Sequence, residues 1–250
     1  MVSDMRSTGS PLLADQVVIV TGASGGIGSA IVSALTDHGA KVVAHRRRPA
    51  KASDRSDVAW ISADLSSEDA PRLVTDAAIN AYGRLDGLVN NAAIQDVIKF
   101  GSLDDDSWRR TLEVNVTAAH RLTNAAVAAM DDDGGSIVHI ASVEGTQPAP
   151  GHAHYAVSKA ALLMHAKAAA LELGPRVRVN AVSPGLIDRD GLASDWPDGV
   201  DRWVDKAPLG RLGSGADVAN AVVFLLSPMA SFISGVNVPV DGGISARPTW

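Results

Sequence analysis

The chain has 250 residues, of which 46% are hydrophobic and only 4% are aromatic, and its formal charge is −6. The acidic balance and the scarcity of rings argue against a nucleic-acid surface, and the absence of cysteine excludes disulfides, thiolate metal sites and cysteine nucleophiles. No apolar run approaches membrane-spanning length and no signal-peptide core precedes the first strand, so we expect a cytoplasmic protein without a membrane partner.

Apolar strands alternate with amphipathic helices along the chain. The first strand, 16–21, is an unbroken apolar run, and Ile27, Ile31 and Leu35 then recur at helical spacing until Gly39. This alternation predicts an α/β protein, a doubly wound Rossmann fold whose central, mostly parallel sheet of seven strands is flanked by helices. The later elements are predicted as strands 41–45, 58–63, 85–90, 136–141, 176–182 and 235–240 and helices 66–82, 104–130, 152–173 and 216–227.

No linker rich in proline, glycine or serine divides the chain. We therefore predict a flexible N-terminal tail over residues 1–14 and a single Rossmann-fold domain over 15–250. The connection between the second and third strands, 46–57, is short and polar, so any helix in it must be brief.

A glycine-rich segment joins the first strand to the first helix with the spacing G-x-x-x-G-x-G. Glycines let a backbone turn sharply and approach a pyrophosphate closely, and the helix N-terminus attracts its negative charge. An ordinary tight turn also uses glycine, but the position between a buried strand and an amphipathic helix favours nucleotide binding. The residues predicted to contact the nucleotide are Gly22, Ser24, Gly25, Ile27 and Gly28.

Tyr155 and Lys159 are four residues apart and share one face of the predicted helix 152–173. A free phenol titrates near pH ~10, and a neighbouring cation favours the phenolate and lowers that pKa toward the working range. The pair alone is a weak signal, because two fixed positions in five recur by chance.

Together these motifs resemble the short, single-domain branch of the short-chain dehydrogenase/reductase family, over about residues 16–243. Seven motifs occur in the family's order, which makes a chance resemblance negligible. They are Thr21–Gly28, Asp64-Leu65, Asn90–Ala93, Asn115, Ser142 with Tyr155 and Lys159, Asn180–Gly185, and Val240–Gly243.

The resemblance implies four catalytic positions. Tyr155 would be the general acid in reduction and the base in oxidation, while Lys159 would lower its pKa and hold the nicotinamide ribose. Ser142 would donate a hydrogen bond to the substrate oxygen, and Asn115 would hold a water that links Lys159 to solvent. Taken singly, these residues have structural explanations: a cap, a backbone contact or a packed ring. Further cofactor contacts are implied for Asp64, Leu65, Asn91, Ala92, Pro184, Gly185 and Ile187.

The end of the second strand bears on the choice of nicotinamide cofactor. NAD enzymes carry a carboxylate there for the ribose diol, whereas an arginine can meet the 2′-phosphate of NADP. This chain has Arg46 at that position, and Arg46 and Arg47 could clamp a phosphate with help from His45. A solvated basic turn is the alternative. Because the acid is missing, we predict NADP(H) rather than NAD.

The substrate side is less well defined. Residues 186–207 resemble the family's mobile lid, which would exclude water, although Trp196 and Trp203 could instead pack permanently. Glu144 and His152, with Trp196, are the predicted substrate contacts. The H-x-H pair at 152 and 154 lacks a third ligand, so no metal is expected. Asp188-Arg189 replaces the family's usual threonine, and Arg189 could reach a ligand or point to solvent.

The predicted function is NADPH-dependent interconversion of a small carbonyl substrate, a ketone or aldehyde, with its alcohol. An NAD-dependent dehydrogenase of a sugar, polyol or steroid alcohol is the alternative, separated by cofactor preference. A non-catalytic nucleotide sensor is a third reading, but it would be expected to have lost Tyr155 or Lys159. By resemblance, the alanine-rich helices 117–130 and 156–170 imply a homo-oligomer, either a dimer or a tetramer.

Overall fold

A computed structural model of the protein describes residues 11–49 and 55–247. Seven strands form one parallel sheet in the order β3-β2-β1-β4-β5-β6-β7. This order, with the chain reversing direction across the sheet between β1 and β4, confirms the predicted doubly wound Rossmann fold in a single domain. The strands are β1 Val17–Val20, β2 Lys41–Arg46, β3 Val58–Ser62, β4 Gly87–Asn90, β5 Gly135–Ile140, β6 Val177–Pro184 and β7 Asn237–Val240.

Helices cover both faces of the sheet, which explains the unbroken apolar strands. Val18 and Val20 of β1 face the cluster formed with α1 and α8, while Val17 and Ile19 face the cluster formed with α2, α4 and α5. β1 is thus buried on both of its faces. The helices are α1 Gly26–Asp37, α2 Ala70–Tyr82, α3 Asp105–Leu112, α4 Ala118–Ala129, α5 Ala153–Leu173, α6 Leu192–Asp195, α7 Pro197–Lys206 and α8 Gly215–Leu226.

Two helices differ most from the sequence-based prediction. The predicted helix 104–130 is interrupted by a π-helical turn, Glu113–Thr117, between α3 and α4. The predicted helix 66–82 begins only at Ala70, with Pro71 in its first turn, where proline is well tolerated. In the predicted lid, α6 and α7 supply two short helices.

The predicted N-terminal tail needs a correction where it can be compared with the structure. Leu13 is fully buried in the cluster with α1, and its backbone N–H donates to His38 O. The packed domain therefore includes residues 11–14, while residues 1–10 lie outside the described part of the chain. Of the connection 46–57, the described residues form no helix beyond the end of β2, and residues 50–54 are not among them.

His139 of β5 makes folding stability depend on pH. It is fully buried, its Nδ1 lies 3.1 Å from Asn90 Nδ2, and its Nε2 lies 3.0 Å from His165 Nδ1. Burial, together with charge on His165 and Lys159, lowers the pKa of His139 from 6.5 to about 3. The fold thus favours the neutral ring. The contribution of His139 to folding stability is therefore complete above pH ~6.5 and declines as the pH falls toward ~3.

We expect the free energy of unfolding in urea to fall by about 2 kcal/mol from pH 7 to pH 5 on account of this group alone. In the His139→Gln variant, the free energy of unfolding should fall by that much less between the two pH values, whatever the stability of the variant at pH 7. His38→Gln, at a partly exposed position, is the matched control and should keep the wild-type dependence. An unchanged dependence in His139→Gln would contradict the prediction.

Candidate active site

The C-terminal ends of the strands open onto a cavity of about 650 Å³. Its wall combines the glycine-rich loop, the ends of β2 and β3, the turn after β4 and the segment after β6. Ligands of doubly wound sheets bind at this edge, where the strand order reverses. Of the predicted cofactor residues, those that line the cavity are Gly22, Ser24, Gly25, Ile27, Gly28, Arg47, Asp64, Leu65, Asn91, Ala92 and Ile187.

The glycine-rich loop has the shape of a phosphate cradle. Gly22 has φ +64°, and a Cβ on Gly28 would collide with the carbonyl oxygen of Gly22, so neither position accepts a side chain without strain. At Gly26 an added Cβ would meet no atom within 4 Å. The backbone therefore reaches open space where α1 begins, as the approach of a pyrophosphate to a helix N-terminus requires.

The turn after β4 is fastened to this loop. Thr21 Oγ1 accepts hydrogen bonds from the backbone N–H groups of Asn91 and Ala92, at 2.9 and 3.0 Å. The Asn91 side chain donates to the carbonyl oxygens of Thr21 and Gly22, at 2.8 and 3.1 Å. The predicted cofactor contacts Asn91 and Ala92 thus also hold the loop in place.

The end of β2 corrects the predicted phosphate clamp. Arg46 is 9% exposed, its guanidinium lies 4.8 Å from the centre of the Trp60 ring, and its Nε donates to Ser62 Oγ at 3.4 Å. It packs along the sheet rather than lining the cavity. His45 accepts from Gly22 N and contacts Ala63 O at 3.0 Å, so both ring nitrogens are engaged. Burial lowers its pKa, which favours the neutral ring.

Arg47 is the basic residue of this segment that lines the cavity. Its side chain is 65% exposed, and its Nε lies 3.4 Å from Asp64 Oδ2. Asp64 also accepts hydrogen bonds from Ser66 N and Oγ, at 3.1 and 2.7 Å, and these bonds are the main cause of its lowered pKa. The wall at this end therefore carries one cation beside one carboxylate.

Pro184 and Gly185 lie behind the cavity rather than on its wall. Pro184 ends β6, and a Cβ added to Gly185 would come within 2.6 Å of the Trp203 ring. Trp203, which belongs to the predicted lid, therefore packs against the end of the sheet. Asp188 and Arg189 line the cavity, and Arg189 pairs with Asp195 at 3.0 Å.

The first turns of α5 bring three of the four predicted catalytic residues together. Ser142 lies close enough to Tyr155 to act on its phenol, and its Oγ accepts a hydrogen bond from Glu144 N at 3.1 Å, so it is both a cap and a neighbour of the phenol. Lys159 Nζ lies 5.4 Å from the centre of the Tyr155 ring and donates to Ile140 O at 2.7 Å. The shared helix face that the i, i+4 spacing predicts is present.

The expected depression of the tyrosine pKa is wrong for the protein without its cofactor. Burial raises the pKa of Tyr155 to about 12, the Ser142 hydrogen bond opposes the rise, and the Glu144 carboxylate adds to it. Burial also lowers the pKa of Lys159 to about 7, so the lysine is only partly charged at neutral pH. Desolvation of the phenol outweighs the opposing effect of Ser142, and the phenol stays protonated.

Asn115 is the fourth predicted catalytic residue, and its amide contacts a backbone group, the structural alternative for this position. It is buried in the π-helical turn, where its Oδ1 accepts from Ile94 N at 2.8 Å and its Nδ2 donates to Ile94 O and Ser158 Oγ, both at 3.0 Å. These bonds join the loop after β4 to α5. The π-turn sets the side chain at this junction, and such turns are frequent at functional sites.

The predicted substrate residues separate into two groups. Glu144 and His152 meet beside Tyr155, with His152 Nδ1 2.9 Å from Glu144 Oε2 and the His152 and Tyr155 rings 6.1 Å apart. Trp196 is 49% exposed and lies between α6 and α7, where Arg202 stacks 5.9 Å from its ring. None of these three predicted substrate residues lines the cavity.

Within the described ranges 11–49 and 55–247, no helix is long and apolar enough to cross a membrane. In the same part of the chain, no group of three or more histidine, aspartate or glutamate side chains is placed to hold a metal ion.

The fold and the site together define a class of protein. A doubly wound sheet with a glycine cradle at its switch point binds a dinucleotide, and a protonated phenol in contact with a serine hydroxyl lies at the same edge of the sheet. Such an arrangement is that of an oxidoreductase which uses a nicotinamide cofactor to act on a hydroxyl or carbonyl group.

Comparison with known proteins agrees. A family model described as enoyl-(acyl carrier protein) reductase matches residues 22–245. The human dehydrogenase/reductase SDR family member 4 is 38% identical over 94% of this chain and 89% of its own. The 3-oxoacyl-[acyl-carrier-protein] reductase FabG of Chlamydia muridarum is 32% identical over 94% of this chain and 99% of its own. Ligand-free aldohexose dehydrogenase from Thermoplasma acidophilum superposes with a TM-score of 0.90 at 33% identity, over 97% of this chain and 98% of its own.

The chain therefore belongs to the short-chain dehydrogenase/reductase family, as the sequence motifs predict, and it is an oxidoreductase with a nicotinamide cofactor.

Proposed function

We propose that the protein is an NADP(H)-dependent oxidoreductase that interconverts a ketone or aldehyde with its alcohol. The observation that carries the proposal is the placement of Lys159 Nζ 5.4 Å from the centre of the buried Tyr155 ring, with Ser142 beside the phenol, at the sheet edge that also carries the glycine cradle. The cofactor, when bound, supplies or accepts the hydride.

The residues of the chain supply position and a proton. In reduction, the Tyr155 O–H donates its proton to the substrate oxygen as negative charge develops there, and the raised pKa keeps that proton available near neutral pH. The Ser142 hydroxyl donates a hydrogen bond to the same oxygen and so stabilises the developing charge. Lys159, at the next turn of α5, would hold the nicotinamide ribose of the bound cofactor, while Asn115 positions the Ile94 loop and α5.

The preference for NADP(H) is supported by the end of β2. That strand ends in His45-Arg46 with no carboxylate to receive the ribose diol, and Arg47 on the cavity wall offers a guanidinium to a 2′-phosphate. The glycine cradle would hold the pyrophosphate, and Asp64 and Leu65 would border the adenine. One observation favours NAD as the second candidate. The Asp64 carboxylate pairs with Arg47 at 3.4 Å and so offsets the positive charge that a 2′-phosphate would need.

Tryptophan fluorescence would give the dissociation constants of NADPH and NADH side by side. We expect NADPH to bind at least about tenfold more tightly, a difference of ~1.4 kcal/mol, and carbonyl reduction to be supported best by NADPH. Equal or tighter binding of NADH would overturn the cofactor assignment in favour of an NAD-linked alcohol dehydrogenase. Binding of neither would favour the non-catalytic sensor.

We also propose a cytoplasmic homo-oligomer, a dimer or a tetramer. On α5, Val157, Met164 and Leu171 are 45%, 63% and 85% exposed at seven-residue spacing, which leaves an apolar stripe on that helix. Sedimentation equilibrium would measure the mass, and a monomer at micromolar concentration would contradict this part of the proposal.

A further inference from the structure

Three polar side chains from separate segments meet beside the catalytic tyrosine. Gln95 follows β4, Glu144 lies in the turn after β5, and His152 directly precedes α5. His152 Nδ1 lies 2.9 and 3.2 Å from the two carboxylate oxygens of Glu144, and Gln95 Nε2 donates to Glu144 Oε1 at 3.3 Å. The side chains of Glu144 and His152 are only 16% and 17% exposed. This cluster is built into the fold.

The hydrogen-bonding capacity left over in the cluster is mainly that of an acceptor. In the tautomer that carries its proton on Nδ1, His152 donates to the Glu144 carboxylate, as does one N–H of Gln95, whose second N–H stays available to a ligand. Among the described residues, neither Gln95 Oε1 nor His152 Nε2 has a hydrogen-bond partner. A carboxylate, an amide oxygen and the unprotonated nitrogen of that His152 tautomer all accept, so they match a ligand that presents O–H donors.

The charge of the cluster adds a second constraint. Glu144 brings a negative charge next to the reacting position, since its N–H bonds to Ser142 Oγ at 3.1 Å and its carboxylate acts on the Tyr155 phenol. The nearest arginine on α3, Arg110, is paired with Asp96 at 3.7 Å. An anionic substrate would therefore meet an uncompensated like charge, which disfavours it.

We propose that Gln95, Glu144 and His152 bind a hydroxyl group of the substrate, which is therefore a neutral polyhydroxylated compound that carries a hydroxyl one or two carbons from the reacting carbon. This inference rests on the proposed function, because it places the reacting oxygen at Ser142 and Tyr155. It assigns the residues that choose the substrate rather than those that transform it.

Matched carbonyl probes test the inference in the NADPH-loaded enzyme. Cyclohexanone and 2-hydroxycyclohexanone differ by one hydroxyl, and 4-oxocyclohexanecarboxylate adds a negative charge to the same ring. We expect kcat/KM for 2-hydroxycyclohexanone to exceed that for cyclohexanone by about tenfold, the effect of one well-placed hydrogen bond to a charged group. The carboxylate should be the poorest of the three.

Glu144→Gln preserves the shape and removes the charge. It should reduce kcat/KM for 2-hydroxycyclohexanone about tenfold more than kcat/KM for cyclohexanone, mainly through KM, and should improve the carboxylate relative to cyclohexanone. Glu172→Gln, an exposed glutamate at the far end of α5, is the control and should change none of the three ratios. An unchanged dissociation constant for NADPH would show that each variant is folded.

The outcomes separate the inference from the function on which it rests. If cyclohexanone and 2-hydroxycyclohexanone are reduced equally well, or if Glu144→Gln slows both to the same extent, the cluster is only structural and the inference is overturned. If no probe is turned over with either cofactor, the proposed function itself fails, and the inference fails with it.

Discussion

Tyr155→Phe is expected to reduce kcat about 10³-fold while it leaves the dissociation constant of NADPH within about twofold, because general acid–base groups contribute roughly 10²–10⁴. The substitution keeps the ring that packs at the start of α5 and removes only the hydroxyl beside Ser142. The protein loses its proton donor, and the oxygen on the carbon that receives the hydride must take a proton from water instead.

Stopped-flow single turnovers would show whether the loss lies in the chemical step. Tyr82→Phe is a natural control, since the chain has only two tyrosines and Tyr82 ends α2, where Lys41 lies 5.6 Å from its ring. It should retain wild-type turnover. A Tyr155→Phe enzyme with more than about a tenth of the wild-type kcat would assign the proton to another group.

The fold could be predicted because the sequence patterns that indicate it are local and do not depend on distant contacts. A parallel strand that is covered on both faces must be apolar at every position, and Val17–Val20 has that composition. Positive-φ glycines mark where chains turn, as at Gly22 and Gly39. What escaped prediction was the π-helical turn around Asn115, because one extra residue in a helical turn leaves the apolar periodicity almost intact.

The site was predicted by position but not by orientation. Motif spacing places Ser142, Tyr155 and Lys159 at one sheet edge, yet it carries no information about desolvation, which reverses the expected direction of the tyrosine pKa. In the same way, the run Arg46-Arg47 predicts a basic site without saying which guanidinium faces the cavity. That choice depends on Trp60 and Ser62 of β3, which are adjacent in the sheet and distant in the sequence.

Arg46 and Arg47 therefore allow a second test, of the cofactor preference, because these successive side chains point in different directions and only Arg47 lines the cavity. Arg47→Leu is expected to raise the dissociation constant of NADPH about 30-fold, or ~2 kcal/mol for the loss of a charge-assisted contact with the 2′-phosphate. The dissociation constant of NADH, which lacks that phosphate, should change less than about threefold. High salt should diminish the NADPH effect, since the Arg47 side chain is 65% exposed.

Arg46→Leu is the matched control, with the same change in charge one residue away. Its guanidinium packs over Trp60, so the variant should leave the NADPH dissociation constant within about threefold while losing roughly 0.5–1 kcal/mol of folding stability with the cation–π contact. If Arg46→Leu instead weakens NADPH binding more than Arg47→Leu does, the Arg46 side chain must leave Trp60 and contact the cofactor. If neither variant changes the ratio of the NADPH and NADH dissociation constants, Arg46 and Arg47 do not determine the cofactor preference. Asp64 is then the next residue to test.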